Sequence, residues 1–146
     1  MFGPHLILEA YDCPSDVLAD VAKISQVLDQ YPDQLQMTKI MPPYVFKYQG
    51  TVPEDWGVSG VVMIAESHIS IHTFASKGFV VLDIFSCKDF DVDQAIEYFS
   101  QIFKPKSYEK QLLMRGYHFP RNKEILSRIM DDDREKFGEV YEKATA

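Results

Sequence analysis

The sequence predicts an α+β fold: a two-layer α/β sandwich in which helices cover one face of a mostly antiparallel sheet of four strands or slightly more. Three observations lead there. Three strand-like runs rich in β-branched residues, GVVMI, HISIHTF and FVVLDIF, follow one another between Gly60 and Phe85. The four residues Ala75-Ser76-Lys77-Gly78 between the last two suit a hairpin loop. Two further segments carry apolar residues at helical spacing on one side only, and such a stripe needs a sheet face to bury it.

The elements follow in chain order. Residues 5–11 alternate Leu6, Leu8 and Ala10 against His5, Ile7, Glu9 and Tyr11, a strand pattern. Pro14 and Ser15 open a helix with Val17, Leu18, Val21, Ile24 and Leu28 on one face, which Tyr31-Pro32-Asp33 should end. Residues 37–48 read as extended, with Pro42-Pro43 interrupting the ladder or forcing an edge. Residues 49–56 read as a loop. After the three central runs, Asp91 or Asp93 caps a second helix striped by Val92, Ala95, Ile96, Phe99, Ile102 and Phe103, and Pro105 stops it. Residues 108–114 form a last strand. Residues 1–122 make a single domain. Residues 123–146 are a helical extension, its helix Lys123–Lys143 carrying Ile125, Ile129, Phe137 and Val140. HISIHTF is partly apolar in both of its rows, so the sheet face away from the helices also needs cover, which a second subunit would supply.

Bulk properties exclude several classes. A net charge of -7 argues against nucleic acid, because phosphate binding needs a basic surface. No apolar run reaches the ~20 residues that span a bilayer. The opening MFGPHLILEAYDCP lacks a basic start and carries Glu9 and Asp12, so it makes a poor signal peptide. A cytoplasmic protein with Cys13 and Cys87 as thiols is the expectation.

Reactive side chains concentrate in Glu66-Ser67-His68-Ile69-Ser70-Ile71-His72-Thr73, with Cys87 after the next strand. Alternating polar residues can simply be the wet face of a strand. A serine hydrolase would want a G-x-S-x-G elbow between strand and helix, which Ser67 lacks. His68 and His72 share a strand face but lie about 13 Å apart, too far to share one metal. Spacing alone leaves the chemistry open.

The stretch GVSGVVMIAESHISIHTF…GF…LDIFSC, from Gly57 to Cys87, resembles the processing and active-site segment of the prokaryotic S-adenosylmethionine decarboxylase proenzymes, and Gly3–Leu6 matches their G-x-H-L. The likeness extends to about Pro120. It implies autocatalytic cleavage between Glu66 and Ser67, giving a β chain of residues 1–66 and an α chain from residue 67. Ser67 then becomes the pyruvoyl cofactor, which forms a Schiff base with the substrate amine, so neither metal nor pyridoxal phosphate is expected. The resemblance makes Ser59 an aid to processing, His72 the processing base and Cys87 the proton donor in decarboxylation. These residue types suit the tasks: a hydroxyl beside its own scissile carbonyl, an imidazole titrating near neutrality and a thiol able to return a proton.

If Phe74 pairs with Phe79 across the four-residue loop, Ser67 faces Ser86 and Cys87 faces Glu66. His72 lies five residues along, about 16 Å at strand rise, and cannot reach Ser67 of its own chain. A two-fold homodimer answers this, with Ser67 and Cys87 from one protomer and His72 and Ser59 from the other; the resemblance also implies shared sites. His5 and Glu9 share a strand face and either line the pocket, Glu9 as a substrate contact, or form a structural pair. Tyr44, Phe46 and Trp56 either stack on adenine or belong to the core. Asp83 is a candidate for orienting a partner, Cys13 is structural, and Lys77 and Lys88 are solvated.

After the His-Thr pair the family continues with Trp-Pro-Glu or Phe-Pro-Glu, whereas this chain has Phe74-Ala75-Ser76. Phe74 can still stack on adenine, but Ser76 cannot accept both ribose hydroxyls. The expected activity is decarboxylation of S-adenosylmethionine for spermidine synthesis. The alternatives are an L-arginine or L-ornithine decarboxylase of the same fold, or a non-enzymatic relative.

Overall fold

The computed structural model describes residues 3–116 and Arg128. Gly3–Met114 form one compact unit. Its elements are β1 (Gly3–Tyr11), α1 (Ser15–Leu18), α2 (Val21–Gln34), β2 (Tyr44–Gln49), β3 (Trp56–Ile64), β4 (Ser67–Phe74), β5 (Phe79–Ser86), α3 (Val92–Phe103) and β6 (Ser107–Arg115). The strands form one six-stranded sheet in the order β2-β3-β4-β5-β1-β6. The pairings from β2 through to β1 are all antiparallel. The expected C-terminal helix, Arg128 apart, lies outside the described residues.

Strand alternation builds the core. Leu6, Leu8, Val58, Val62, Ile64, Ile69, Ile71, Val80, Leu82 and Ile84 point to one face and join Leu18, Ile24, Leu28, Ala95, Phe99 and Phe103 of the helices in one buried cluster. Burying a side chain of this size stabilises by about 1.5–3 kcal/mol each. Helix α2 packs over β2 and β3, and α3 over β1. All helices therefore lie on one face, as the one-sided stripes require.

The first helix corrects the sequence expectation. The Val17–Leu28 stripe is split at Asp20, whose side chain accepts the Lys23 N–H at 2.9 Å and starts a new helix. The Tyr31-Pro32-Asp33 end holds to within a residue, the helix running to Gln34. Pro32 sits buried in the last turn, where it forfeits one backbone bond, and Tyr31 before it stacks on Tyr98 at 4.1 Å. Pro42-Pro43 act as expected: β2 starts directly after them and is an edge strand. Asp91 caps α3 by accepting the Gln94 N–H. The Ala75–Lys77 turn is one 3-10 turn, closed by Gly78 at φ +60°, where a Cβ would be strained. It holds Phe74 opposite Phe79 and Ser67 opposite Ser86.

Among the described residues the other sheet face carries no helix. Its rows run Met63–His68–Phe85–His5, then Val61–Ser70–Asp83–Ile7, then Phe46–Ser59–His72–Val81–Glu9. Met63 and Phe46 remain 39% and 45% exposed there, so this face is partly apolar and wet. Among the described residues no helix is long and apolar enough to cross a membrane.

Candidate active site

The cleavage candidate lies in a tight turn. Ile64 pairs with Ser67, leaving only Ala65 and Glu66 between β3 and β4. The segment before β2 clamps this turn. The Ala65 N–H donates to the Thr38 carbonyl at 2.8 Å, the Thr38 N–H donates to the Glu66 carboxylate at 3.0 Å, and the Ile40 N–H donates to the Met63 carbonyl at 3.1 Å. From the other side the Cys87 N–H donates to the Glu66 carbonyl oxygen at 2.9 Å. That oxygen belongs to the bond that Ser67 would attack, and a donor aimed at it stabilises the charge attack creates. The sequence placed Cys87 opposite Glu66; the structure adds that its backbone N–H meets the turn.

Several contacts hold Cys87 in place. It follows the last β4–β5 rung, Ser67 with Ser86. Ser86 is fully buried and its Oγ accepts the Lys88 N–H at 2.9 Å. Lys88 is exposed, as expected, and its Nζ also donates to the Gln36 carbonyl at 2.7 Å, which tethers it. Gly3 packs so closely on Ser86 and Cys87 that a Cβ would overlap the Ser86 carbonyl. Both cysteines are outside disulfides. Burial, then the Asp12 charge, push the Cys13 thiol up to about 11, which suits the structural role expected of it.

One neighbour of this end, His68, had been given no role in the sequence. Ser67 Oγ lies 3.3 Å from His68 Nδ1. The His68 ring in turn sits edge-on to Phe85 and His5, with centroids 5.9 and 6.5 Å away. His5 Nε2 is 3.0 Å from Asp83 Oδ1, and Ser70 Oγ donates to Asp83 Oδ2 at 3.3 Å. Asp83 therefore orients His5, the role for which its alternation made it a candidate. The signal for His68 was its position directly after Ser67.

The far end of β4 gathers a different set. His72 Nδ1 lies 3.1 Å from Ser59 Oγ, directly across the β3–β4 ladder. Thr73 beside it is buried; its Oγ1 accepts the Val58 N–H at 2.8 Å and donates to the Leu18 carbonyl at 2.7 Å, pinning the strand end to the helix layer. Phe46, Tyr48, Ser59, His72, Thr73 and Phe74 line an open hollow of about 270 Å³. The aromatic trio divides: Phe46 lines the hollow, Trp56 packs against the core and Tyr44 is exposed at the edge. Glu9 shares the row of His72 through Val81 and accepts the Tyr11 hydroxyl at 2.9 Å. That bond, ahead of burial, raises the Tyr11 pKa. Lys77 is exposed too, and its Nζ is 3.7 Å from Asp55 Oδ1.

Fold and site define a class: a two-layer α+β protein with a serine and a cysteine at one hairpin end and a serine–histidine pair at the other. The chain belongs to the S-adenosylmethionine decarboxylase family, whose model matches residues 4–116. It is similar to the S-adenosylmethionine decarboxylase proenzyme of Archaeoglobus fulgidus, 36% identical over 118 residues, 78% of this chain and 97% of that protein. The proenzyme of the same name from Pyrococcus furiosus is 36% identical over 115 residues, 78% of each chain. The solved adenosylmethionine decarboxylase of Aquifex aeolicus matches at a TM-score of 0.67 with 29% identity, over 83% of this chain and 97% of that one.

Proposed function

We propose that this chain is a self-processing, pyruvoyl-dependent decarboxylase that converts S-adenosylmethionine to its decarboxylated form and CO2, working as a homodimer with shared sites. The observation that carries the reading is the Cys87 N–H on the Glu66 carbonyl, one residue before the Ser67 hydroxyl. Ser67 Oγ attacks that carbonyl carbon. The peptide C–N bond breaks, and its nitrogen takes the hydroxyl proton, leaving an ester. A base then removes the Cα proton of residue 67, and the Glu66 carboxylate departs. Water releases ammonia from the dehydroalanine left behind, and residue 67 ends as a pyruvoyl group.

The base is the imidazole of His72, tied to Ser59. Five residues of extended strand, about 16 Å, separate it from Ser67 of its own chain, so a second protomer brings it. The partly apolar open face, with Met63 and Phe46 exposed beside the polar rows, is the surface for that protomer. A bound pyruvoyl carbonyl supplies the electron sink for loss of CO2. The Cys87 thiol, next to residue 67, returns the proton to the substrate carbon. His5, fixed by Asp83, and His68 flank the same end and bound the pocket. A reducing cytoplasm, which keeps that thiol available, is part of this reading.

The relatives' names favour S-adenosylmethionine over arginine or ornithine. Denaturing mass spectrometry of the purified protein should find two chains split between Glu66 and Ser67, the second beginning with pyruvoyl. A single intact chain would sink the proposal. CO2 release should come from labelled S-adenosylmethionine and not from labelled arginine or ornithine.

A further inference from the structure

The attack of Ser67 on Glu66 needs a group to take the hydroxyl proton, and His72 of the same chain stands about 16 Å along the strand. Another imidazole is already on the hydroxyl: Ser67 Oγ lies 3.3 Å from His68 Nδ1. Successive side chains of a strand point to opposite faces, so this contact is not a by-product of the pleat. It is made at the first residue of β4, directly after the Ala65–Glu66 turn. Its length is that of a catalytic hydrogen bond that tightens on the way to the transition state. The ladder holds His68 in place. It pairs with Met63 on β3 and Phe85 on β5, and its ring stands edge-on to Phe85 and His5. The carboxylates of this end have other partners: Glu66 accepts the Thr38 N–H, and Asp83 holds His5 and Ser70.

We propose that His68 is the base of the acyl shift, acting on Ser67 of its own chain, while His72 from the second protomer serves only the later elimination. In the tautomer with its proton on Nε2, His68 Nδ1 takes the Ser67 proton as Oγ bonds to the Glu66 carbonyl carbon. The Cys87 N–H, 2.9 Å from the Glu66 carbonyl oxygen, meets the charge that develops there. The imidazolium returns the proton to the Ser67 nitrogen as the C–N bond breaks. Only Cα and Cβ of one residue separate that nitrogen from Oγ, so a base on the hydroxyl is also close to the leaving amine. The imidazole ends neutral, the products are an ester and an amine, and no co-reactant is consumed. An imidazole suits a group that must both take and give a proton near neutral pH. The elimination moves a different proton, the one on Cα, and so calls for a base placed elsewhere. The inference rests on the self-processing reading above and divides its two proton transfers between two histidines.

The test separates the two steps by trapping the ester. Full-length precursors made by cell-free synthesis are followed by denaturing mass spectrometry, with and without hydroxylamine, which cuts an ester and spares an amide. His72→Ala should stall as the ester, intact until hydroxylamine splits it between Glu66 and Ser67. His68→Asn should stall one step earlier. Its amide oxygen stands close to the place of Nδ1 and can hold the Ser67 hydroxyl, but it cannot take the proton. The chain should stay intact even in hydroxylamine and should cleave about 10²–10⁴-fold more slowly than the unaltered protein. His68→Ala should be as slow, and added imidazole should speed it several-fold, a rescue that a misfolded chain would not show. If the unaltered precursor cleaves and His68→Asn either matches its rate or stalls as a hydroxylamine-sensitive ester, this inference fails alone. If the unaltered precursor is neither cut nor made sensitive to hydroxylamine, the self-processing reading fails and this one with it.

Discussion

At its start β4 carries Ser67 directly after a two-residue turn clamped by Thr38 on one side and Cys87 on the other. At its far end the same strand carries His72, bonded to Ser59 at the rim of an aromatic hollow. The first end holds a nucleophile, its carbonyl, a donor to that carbonyl and a thiol. The second holds an imidazole and ring faces, with no scissile turn. Both ends carry an imidazole, His68 3.3 Å from Ser67 Oγ at the first and His72 on Ser59 at the second, but only the first has the turn and only the second the aromatic hollow. On the proposed reading each chain builds two half-sites, and a two-fold axis is the simplest operation that joins them.

The largest expected effect tests that separation directly. Ser67→Ala should abolish cleavage, since no hydroxyl remains to form the ester. His72→Ala should slow it by about 10²–10⁴-fold, the usual worth of a general base. Mixing the two variants before cleavage is the informative step. In a mixed dimer one site regains Ser67 from the His72→Ala chain and His72 from the Ser67→Ala chain. With random pairing about half of the His72→Ala chains should then be cut, and none of the Ser67→Ala chains. Mass spectrometry with one chain isotope-labelled reads this. No cleavage in the mixture, with dimers present, would break the comparison.

How much of this was legible in the residues follows from which contacts are local. The register of β4 on β5 was, because a four-residue loop at Ala75–Gly78 leaves little choice of pairing, and Cys87 opposite Glu66 came with it. The break at Asp20 was not. Val17, Leu18, Val21 and Ile24 keep helical spacing across it, and only the Asp20 cap reveals two helices. Pro32 marked the end of α2 to within two residues, but its burial with Tyr31 against α3 is a tertiary contact that spacing does not show. The link of His5 to Asp83 needs β1 beside β5, a neighbourhood 78 residues apart in the chain. The clamp from Thr38 and the approach of Lys77 to Asp55 are likewise matters of loop path, which periodicity does not encode.

On the proposed reading Cys87 acts at the Ser67 end through two groups, and a substitution separates them. Cys87→Ala keeps the N–H on the Glu66 carbonyl, so cleavage should proceed. It removes the thiol, so kcat should fall roughly 10²–10³-fold, as for a lost general acid. Full turnover would show that the proton comes from elsewhere, with His68 and His5 the nearest candidates. Gly3→Ala should act on the other group. Its Cβ would overlap the Ser86 carbonyl and push the Cys87 backbone away from Glu66, at a cost of about 1–3 kcal/mol in stability. Cleavage should slow several-fold while the thiol remains. An unchanged cleavage rate would mean that the Cys87 N–H is not needed for the acyl shift.

The smallest effect concerns the thiol that lies at neither end. Cys13 is buried behind the end of β1, where its N–H donates to the Gly78 carbonyl. Its pKa, pushed up to about 11 by burial and then by Asp12, leaves about one part in a thousand ionised at pH 8. The thiolate is the reactive form, and closed packing reduces access further. Iodoacetamide at pH 8 should therefore leave Cys13 unmodified in the native protein and modify it after denaturation, as peptide mapping would read. Cys13→Ala should cost on the order of 1 kcal/mol in stability, from the small cavity alone, and leave cleavage and turnover unchanged. Were Cys13→Ala to slow either step, the chemistry of this chain would not be confined to the two ends of β4.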